Sequence, residues 1–124
     1  MKIFIVLSMI FCHILDDYKI QAGVLNNLKQ KAWWIVNTKN DSRYKYDYIA
    51  GLVMHSMSWS FMTLLPIAFY FGFEVNVDFA IAFILNATVH AVVDDLKANK
   101  GKINLLTDQT IHMIQILLTA LYFL

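Results

Sequence analysis

Four long apolar segments alternate with short polar ones along the chain, and this pattern predicts four membrane-spanning helices. The apolar segments cover about residues 3–28, 48–73, 77–95 and 107–124. A bilayer core needs about 20 residues of helix, and each segment approaches this length. The first segment does so only if its polar face points into protein. The sequence therefore predicts an all-α fold, with residues 1–124 forming a single domain, an integral membrane four-helix bundle.

The first segment also resembles a signal peptide, because Lys2 precedes an apolar run that ends near Cys12. No small-residue cleavage site follows, and the bulky residues before Cys12 do not suit a lipoprotein signal. A histidine and two aspartates come directly after the run. We therefore predict a retained helix that continues through Gln21 to about residue 28.

Composition supports a membrane setting. The chain is 59% hydrophobic and 15% charged, against a usual charged share of about a quarter. A soluble protein of 124 residues could not bury so much apolar surface. The single cysteine, Cys12, excludes an internal disulfide and is predicted to be a buried apolar residue.

The placement of the basic residues predicts the orientation. Nine of the ten fall on one side of the predicted bundle, and only Lys2 falls on the other. Basic residues favour the cytoplasmic side, so we expect a multi-pass inner-membrane protein with both termini extracytoplasmic, N-out and C-out. The nine are Lys19, Lys29, Lys31, Lys39, Arg43, Lys45, Lys97, Lys100 and Lys102.

The loop between the first two spans is basic and aromatic, with Trp33 and Trp34 in its middle. This composition is compatible with nucleic-acid binding, but tryptophan also accumulates in the headgroup zone of membranes. We interpret the loop as a membrane-surface loop and predict no nucleic-acid partner. The lipid bilayer is the predicted partner.

Three predicted helices carry a histidine and an aspartate four residues apart, and the other helix carries the remaining histidine. Residues at this spacing share a helix face. In the predicted topology all four histidines lie five to seven residues inside the cytoplasmic ends of their helices, so they should converge in one layer. The residues are His13 and Asp17, His90 and Asp94, Asp108 and His112, and His55.

Neutral imidazole with carboxylate is the usual ligand set for divalent first-row metals, and helical bundles hold such sites between facing helices. We predict a divalent metal cofactor, zinc first, with manganese or magnesium as alternatives. Asp17 and Asp94 are the predicted catalytic carboxylates, and Gln21, Lys97 and Gln109 the predicted substrate-binding residues. The predicted metal ligands are His13, His55, His90, Asp108 and His112.

Two other interpretations use the same residues. The His/Asp pairs could act as polar contacts between helices that only fix their register. They could also belong to a proton path, although the other half of the bundle offers only neutral polar groups such as Asn86 and Gln115. Asp16 and Asp95 lie off the shared faces, so we expect their replacement to have milder effects.

The motifs resemble a known family when they are taken in order. Together their spacing resembles that of small bacterial and phage membrane proteins classified as a domain of unknown function. The chain is more distantly similar to inner-membrane metal-dependent hydrolases. The resemblance implies a membrane protein with this His/Asp site, and a phage source. The motifs are H-x-x-x-D-x-x-x-Q at His13, Asp17 and Gln21, then His55, H-x-x-x-D-x-x-K at His90, Asp94 and Lys97, and D-Q-x-x-H at Asp108, Gln109 and His112.

Two functions follow as hypotheses. The first is a membrane-embedded metal-dependent hydrolase acting on an ester or phosphoester at the cytoplasmic interface, with a lipid-linked phosphate as the expected substrate. The alternative is a non-enzymatic phage or bacterial membrane protein that binds and inhibits a host membrane protein. Stoichiometric metal binding would distinguish the two.

Overall fold

A computed structural model describes residues 1–74 and 76–124 of the chain. The described residues are about 80% helical and contain no strand, which confirms the all-α class. The predicted connection between the second and third apolar segments includes Val75, which lies outside the described residues. The six α-helices are α1 (Lys2–Leu15), α2 (Val24–Leu28), α3 (Lys31–Asn37), α4 (Asp47–Tyr70), α5 (Val77–Ala98) and α6 (Leu105–Phe123).

The sequence predicted one continuous helix for the first apolar segment, but in the structure this segment is divided. Helix α1 ends at Leu15 and passes into a π-helical turn, Asp16–Ile20. The chain leaves helical geometry at Gly23, where φ is −118° and ψ is −112°, and α2 follows as a separate short helix. The break lets α2 turn back onto α4.

Helix α4 lies at the centre of the fold and packs against α1, α2 and α5, while α6 packs against α1 and α5. The contact between α2 and α4 is very close at Gly51. A Cβ added there would lie 2.3 Å from the carbonyl oxygen of Leu28. Glycine at this position therefore fixes how α2 sits on the bundle.

Polar residues fill one end of the interior, and apolar residues fill the other. The apolar cluster includes Ile5, Met9, Leu64, Ile67 and Ile116. Among the described residues, thirteen buried polar or charged residues outnumber ten buried hydrophobic ones. Soluble domains rarely bury charged groups, so this interior differs from that of a soluble helical domain.

The outside of the bundle is strongly apolar. Exposed large hydrophobic residues occur along α1, α4, α5 and α6; examples are Phe4, Phe61, Leu85 and Leu121. Two helices are long and apolar enough to cross a membrane: α5, and α4 together with the short turn before it, residues 42–70.

The turn between α5 and α6 contains a glycine and leads into a side-chain cap. Gly101 has a φ of +59°, a conformation that favours glycine. Threonine is a common N-cap residue, but Thr107 lies inside α6. Asn104 is the N-cap instead, because its side-chain oxygen accepts a hydrogen bond of 2.9 Å from the backbone nitrogen of Thr107.

Candidate metal centre

The four histidines come from four different helices and meet in one buried cluster. The ring centres of His55 and His90 lie 5.0 Å apart, and those of His90 and His112 lie 4.1 Å apart. His13 joins the cluster from α1, with its ring centre 5.8 Å from that of His112. All four rings are at most 1% exposed. Periodicity along separate helices had predicted this convergence.

Two glutamines orient two of the histidines. The amide nitrogen of Gln21 donates to the Asp16 carboxylate and to the His55 carbonyl, so its oxygen accepts from Nδ1 of His55. On α6, the amide nitrogen of Gln115 donates to Asn86, and its oxygen accepts from Nδ1 of His112 at 3.3 Å. In their neutral form, both rings would therefore present an unprotonated Nε2 to the cluster, the tautomer that a metal ligand requires.

Two overlapping groups of side chains could hold a metal ion. The first comprises Asp17, His55 and His90, and the second comprises His90, Asp94 and His112. Within each group the ligand atoms lie within 4.8 Å of one another. His90 belongs to both groups and is the centre of the cluster.

The separations between candidate ligand atoms include both hydrogen-bond contacts and longer gaps that a shared ion could bridge. Nε2 of His55 lies 2.7 Å from the Asp94 carboxylate, within hydrogen-bond distance. Nε2 of His90 lies 3.1 Å from Nε2 of His55 and 3.7 Å from the Asp94 carboxylate, which in turn lies 3.7 Å from Nε2 of His112. In a tetrahedral zinc site with bonds of about 2.0–2.1 Å, neighbouring ligand atoms are about 3.3 Å apart. Separations of 3.7 Å are too long for a hydrogen bond.

Several buried polar atoms in the cluster lack a hydrogen-bond partner and could bind a cation. Within the described part of the chain, four buried side-chain atoms have no hydrogen-bond partner: Oδ1 of Asp17, Nδ1 of His90, Oδ1 of Asp108 and Nε2 of His112. A buried polar atom without a partner costs about 1–3 kcal/mol. A bound ion could satisfy Oδ1 of Asp17 in the first group or Nε2 of His112 in the second. Oδ1 of Asp108 and Nε2 of His112 also lie 3.3 Å from each other.

The formal charge of the layer indicates the charge of that cation. With neutral histidines, four carboxylates face two ammonium groups, which leaves two excess negative charges. Buried net charge is strongly unfavourable away from water, and one divalent ion would neutralise it. The carboxylates are those of Asp16, Asp17, Asp94 and Asp108, and the ammonium groups those of Lys29 and Lys97.

Two of the predicted metal ligands lie beside these groups but belong to neither. Nδ1 of His13 accepts a hydrogen bond of 2.6 Å from the Trp59 indole, and its Nε2 lies 3.0 Å from the side-chain oxygen of Gln109. Asp108 pairs with Lys97 at 2.6 Å and lies 3.3 Å from Nε2 of His112. Asp17 and Asp94, predicted to be catalytic, each belong to one of the two candidate groups instead.

The three predicted substrate-binding residues all contact members of the cluster. Gln21 orients His55, Gln109 bonds to His13 and Asp108, and Lys97 pairs with Asp108. Their polar atoms therefore hold members of the cluster in position. The Lys97 side chain, 27% exposed, and that of Asp17, 12% exposed, mark the end from which the cluster can be reached.

Three residues at the site were missed or misplaced by sequence reasoning. Asp16, predicted to lie off the shared face, is fully buried and accepts a hydrogen bond of 2.9 Å from Ser58, because the π-helical turn rotates it inward. Lys29, predicted to be a surface-loop cation, is only 6% exposed and pairs with Asp94 at 2.6 Å. Trp59 stacks on His90 with ring centres 4.3 Å apart.

A sequence signal existed only for Trp59, which follows His55 by four residues on the same helix face. Asp95, in contrast, lies off the shared face as predicted, where it pairs with Lys100 at 2.8 Å.

No protein-family model, curated protein or solved structure matches the chain. The resemblance to bacterial and phage membrane proteins remains a prediction from the motifs.

Proposed function

We propose that the protein is a membrane-embedded, metal-dependent hydrolase in which α1 with its π-helical turn, α4, α5 and α6 span the bilayer. Support for the membrane comes from the apolar exterior around a polar interior, since lipid favours apolar groups outside and charged groups inside the bundle. Helix α1 has only 14 residues, so its proposed span includes the π-helical turn; α6, with 19 residues, is the fourth proposed span.

The observation that carries the proposed activity is the buried cluster of candidate ligands, several of whose polar atoms lack partners. A divalent metal held there would make a bound water more acidic and polarise the bond to be cleaved. Asp17, the most exposed candidate ligand, is the general base in this proposal. His55, His90, Asp94 and His112 hold the ion.

An ester or phosphoester at headgroup depth is the proposed substrate, and a lipid-linked phosphate is the best candidate. The cluster can be reached at the end of the bundle where the loops carry most of the basic residues. Lysine and arginine side chains at a membrane surface attract anionic headgroups. A phosphate group would thus meet positive charge on its way to the metal.

Metal content tests the proposal. We expect protein purified without chelator, then offered zinc, manganese or magnesium, to hold at least one divalent ion per chain, measured by plasma mass spectrometry. Chelator should remove the ion, lower the melting temperature and abolish hydrolysis of phosphoesters in mixed micelles. Asp95→Asn is the control, because Asp95 pairs with Lys100 away from the cluster. Wild-type protein without stoichiometric metal would favour the non-enzymatic host-binding alternative, with a purely structural His/Asp layer.

The proposed orientation, N-out and C-out, is tested separately. Since Lys29 is buried and Lys97 partly buried, seven exposed basic residues remain on the loop side, against Lys2 on the other. Reporter fusions after Leu124 should therefore be extracytoplasmic, and fusions in the loop at Lys39 should be cytoplasmic. A cytoplasmic C-terminus would contradict this topology and would imply an even number of spans between the two points.

A further inference from the structure

Asp16 is a fully buried carboxylate that belongs to neither of the two candidate ligand groups. Its Oδ1 accepts a hydrogen bond of 2.9 Å from Ser58, and its Oδ2 accepts from the amide nitrogen of Gln21. Ser58 follows His55 by three residues on α4, so Asp16 is held on the helix face that carries that ring. The proposed function gives this carboxylate no role, although burying it away from water is costly.

Two acceptors compete for the single proton of a neutral His55 ring. The side-chain oxygen of Gln21 faces Nδ1, and Oδ2 of Asp94 lies 2.7 Å from Nε2. A proton on Nε2 would be held by Asp94 and would block that nitrogen to a metal, whereas a proton on Nδ1 leaves it free. The Lys29 ammonium, 3.0 Å from Nε2, donates to it only when Nε2 carries no proton. The contacts at Nε2 therefore allow both forms, and the partner of Nδ1 decides between them.

The orientation of the Gln21 amide determines what Nδ1 of His55 meets. If the amide turned over, its nitrogen would face Nδ1, which would then have to accept, and the ring proton would lie on Nε2. An ionised carboxylate accepts hydrogen bonds and donates none, so Asp16 keeps the amide nitrogen on its own side and the oxygen towards His55. The other contact of this nitrogen, to the His55 carbonyl, is 3.3 Å long, beyond the usual range for such bonds. Asp16 is therefore the main group that fixes the amide.

From this geometry, and resting on the proposed metal site, we infer that Asp16 is a positioning residue that makes His55 available to the metal. It acts through Gln21 and is not itself a ligand. Metal-bound histidines commonly donate their second ring N–H to a supporting acceptor, and loss of that support costs about 10–100-fold in metal affinity. Asp16 extends the support of His55 by one more residue. This role reverses the expectation from the sequence that replacing Asp16 has a mild effect.

The test compares the zinc affinity of the full-length protein in nanodiscs, measured by chelator competition, with that of two Asp16 variants. Asp16→Leu has nearly the same shape but no acceptor, so we expect zinc affinity to fall about 10–100-fold. Asp16→Asn keeps an oxygen for Gln21, while its amide nitrogen can donate to the Ser58 hydroxyl, so its loss should stay below about tenfold. Asp95→Leu, which removes a carboxylate paired with Lys100 away from the cluster, should keep the wild-type affinity.

NMR of the histidine ring nitrogens in metal-free protein provides a second readout, because it shows which nitrogen of His55 carries the proton. We expect the proton on Nδ1 in the wild type and in Asp16→Asn, and on Nε2 in Asp16→Leu. The His55 resonances are assigned by their absence from His55→Gln. A variant that is merely less stable would not move the proton from one ring nitrogen to the other.

The outcomes separate this inference from the proposed function. Wild-type protein that binds no zinc would overturn both. If the wild type binds zinc, unchanged affinity or unchanged ring protonation in folded Asp16→Leu would overturn the role of Asp16 alone. Equal losses of affinity in Asp16→Leu and Asp16→Asn would do the same, because they would show that only the charge of Asp16 matters. If Asp16→Leu does not fold, Asp16→Ala gives the same comparison, since it removes the acceptor without placing an apolar branch beside Ser58.

Discussion

Replacing His90 with alanine is expected to abolish stoichiometric metal binding. His90 belongs to both candidate ligand groups, so no complete group remains without it. Changes to residues that merely support metal ligands already cost about 10–100-fold in affinity, and loss of the shared ligand should exceed that range. Metal content and zinc affinity of the purified variant provide the measurement.

Alanine also leaves a cavity, because the His90 ring stacks on Trp59 at 4.3 Å. His90→Phe is therefore the matched variant, since it fills the space with a ring that cannot bind metal. We expect both variants to lose the ion, while His90→Phe keeps a melting temperature close to that of metal-free wild type. Metal retained at wild-type affinity in His90→Phe would contradict the assignment of His90 as a ligand.

Replacing Gly51 with alanine is expected to destabilise the bundle by about 1–3 kcal/mol, the usual cost of overpacking a close contact. The added Cβ would meet the backbone of Leu28 and Lys29, at 2.3 Å from the Leu28 carbonyl oxygen and 2.8 Å from the Lys29 nitrogen. Backbone atoms cannot rotate away as a flexible side chain can. Helix α2 must therefore shift, and the Lys29 side chain shifts with it.

The sign of this effect makes the prediction specific. Glycine to alanine inside a helix normally stabilises it by about 0.8–1.0 kcal/mol, so a loss of stability can come only from the tertiary contact. Thermal unfolding in detergent measures it, and Ala50→Ser, which adds one atom at an exposed neighbouring position, is the control. Unchanged or increased stability in Gly51→Ala would show that α2 does not pack closely on α4.

The helices and the convergence of the four histidines in one cluster could be predicted because both depend on local periodicity. Four-residue spacing places His90 and Asp94 on one face whatever surrounds the helix. The predicted depth of each histidine then depends only on counting residues from the helix ends. These features need no knowledge of how the chain turns between helices.

The rest of the site depends on irregular backbone that residue patterns do not encode. The π-helical turn at Asp16–Ile20 adds a residue to one helical turn, so that Asp16 faces inward beside Asp17. The break at Gly23 sends α2 back over α4, which carries Lys29 from the predicted loop into the interior. Both changes alter which residues reach the site, and neither alters the hydrophobic pattern.

The inverted arrangement of the bundle, polar inside and apolar outside, has a consequence for its thermodynamics. The heat capacity of a soluble domain rises on unfolding because apolar side chains become exposed to water. In this bundle many large apolar side chains are already on the outside, where lipid or detergent covers them in the folded and unfolded states alike. Opening the interior instead exposes carboxylates, imidazoles and amides, and exposed polar surface lowers the heat capacity. Its stability should therefore vary with temperature along a flatter curve than that of a soluble domain of equal length.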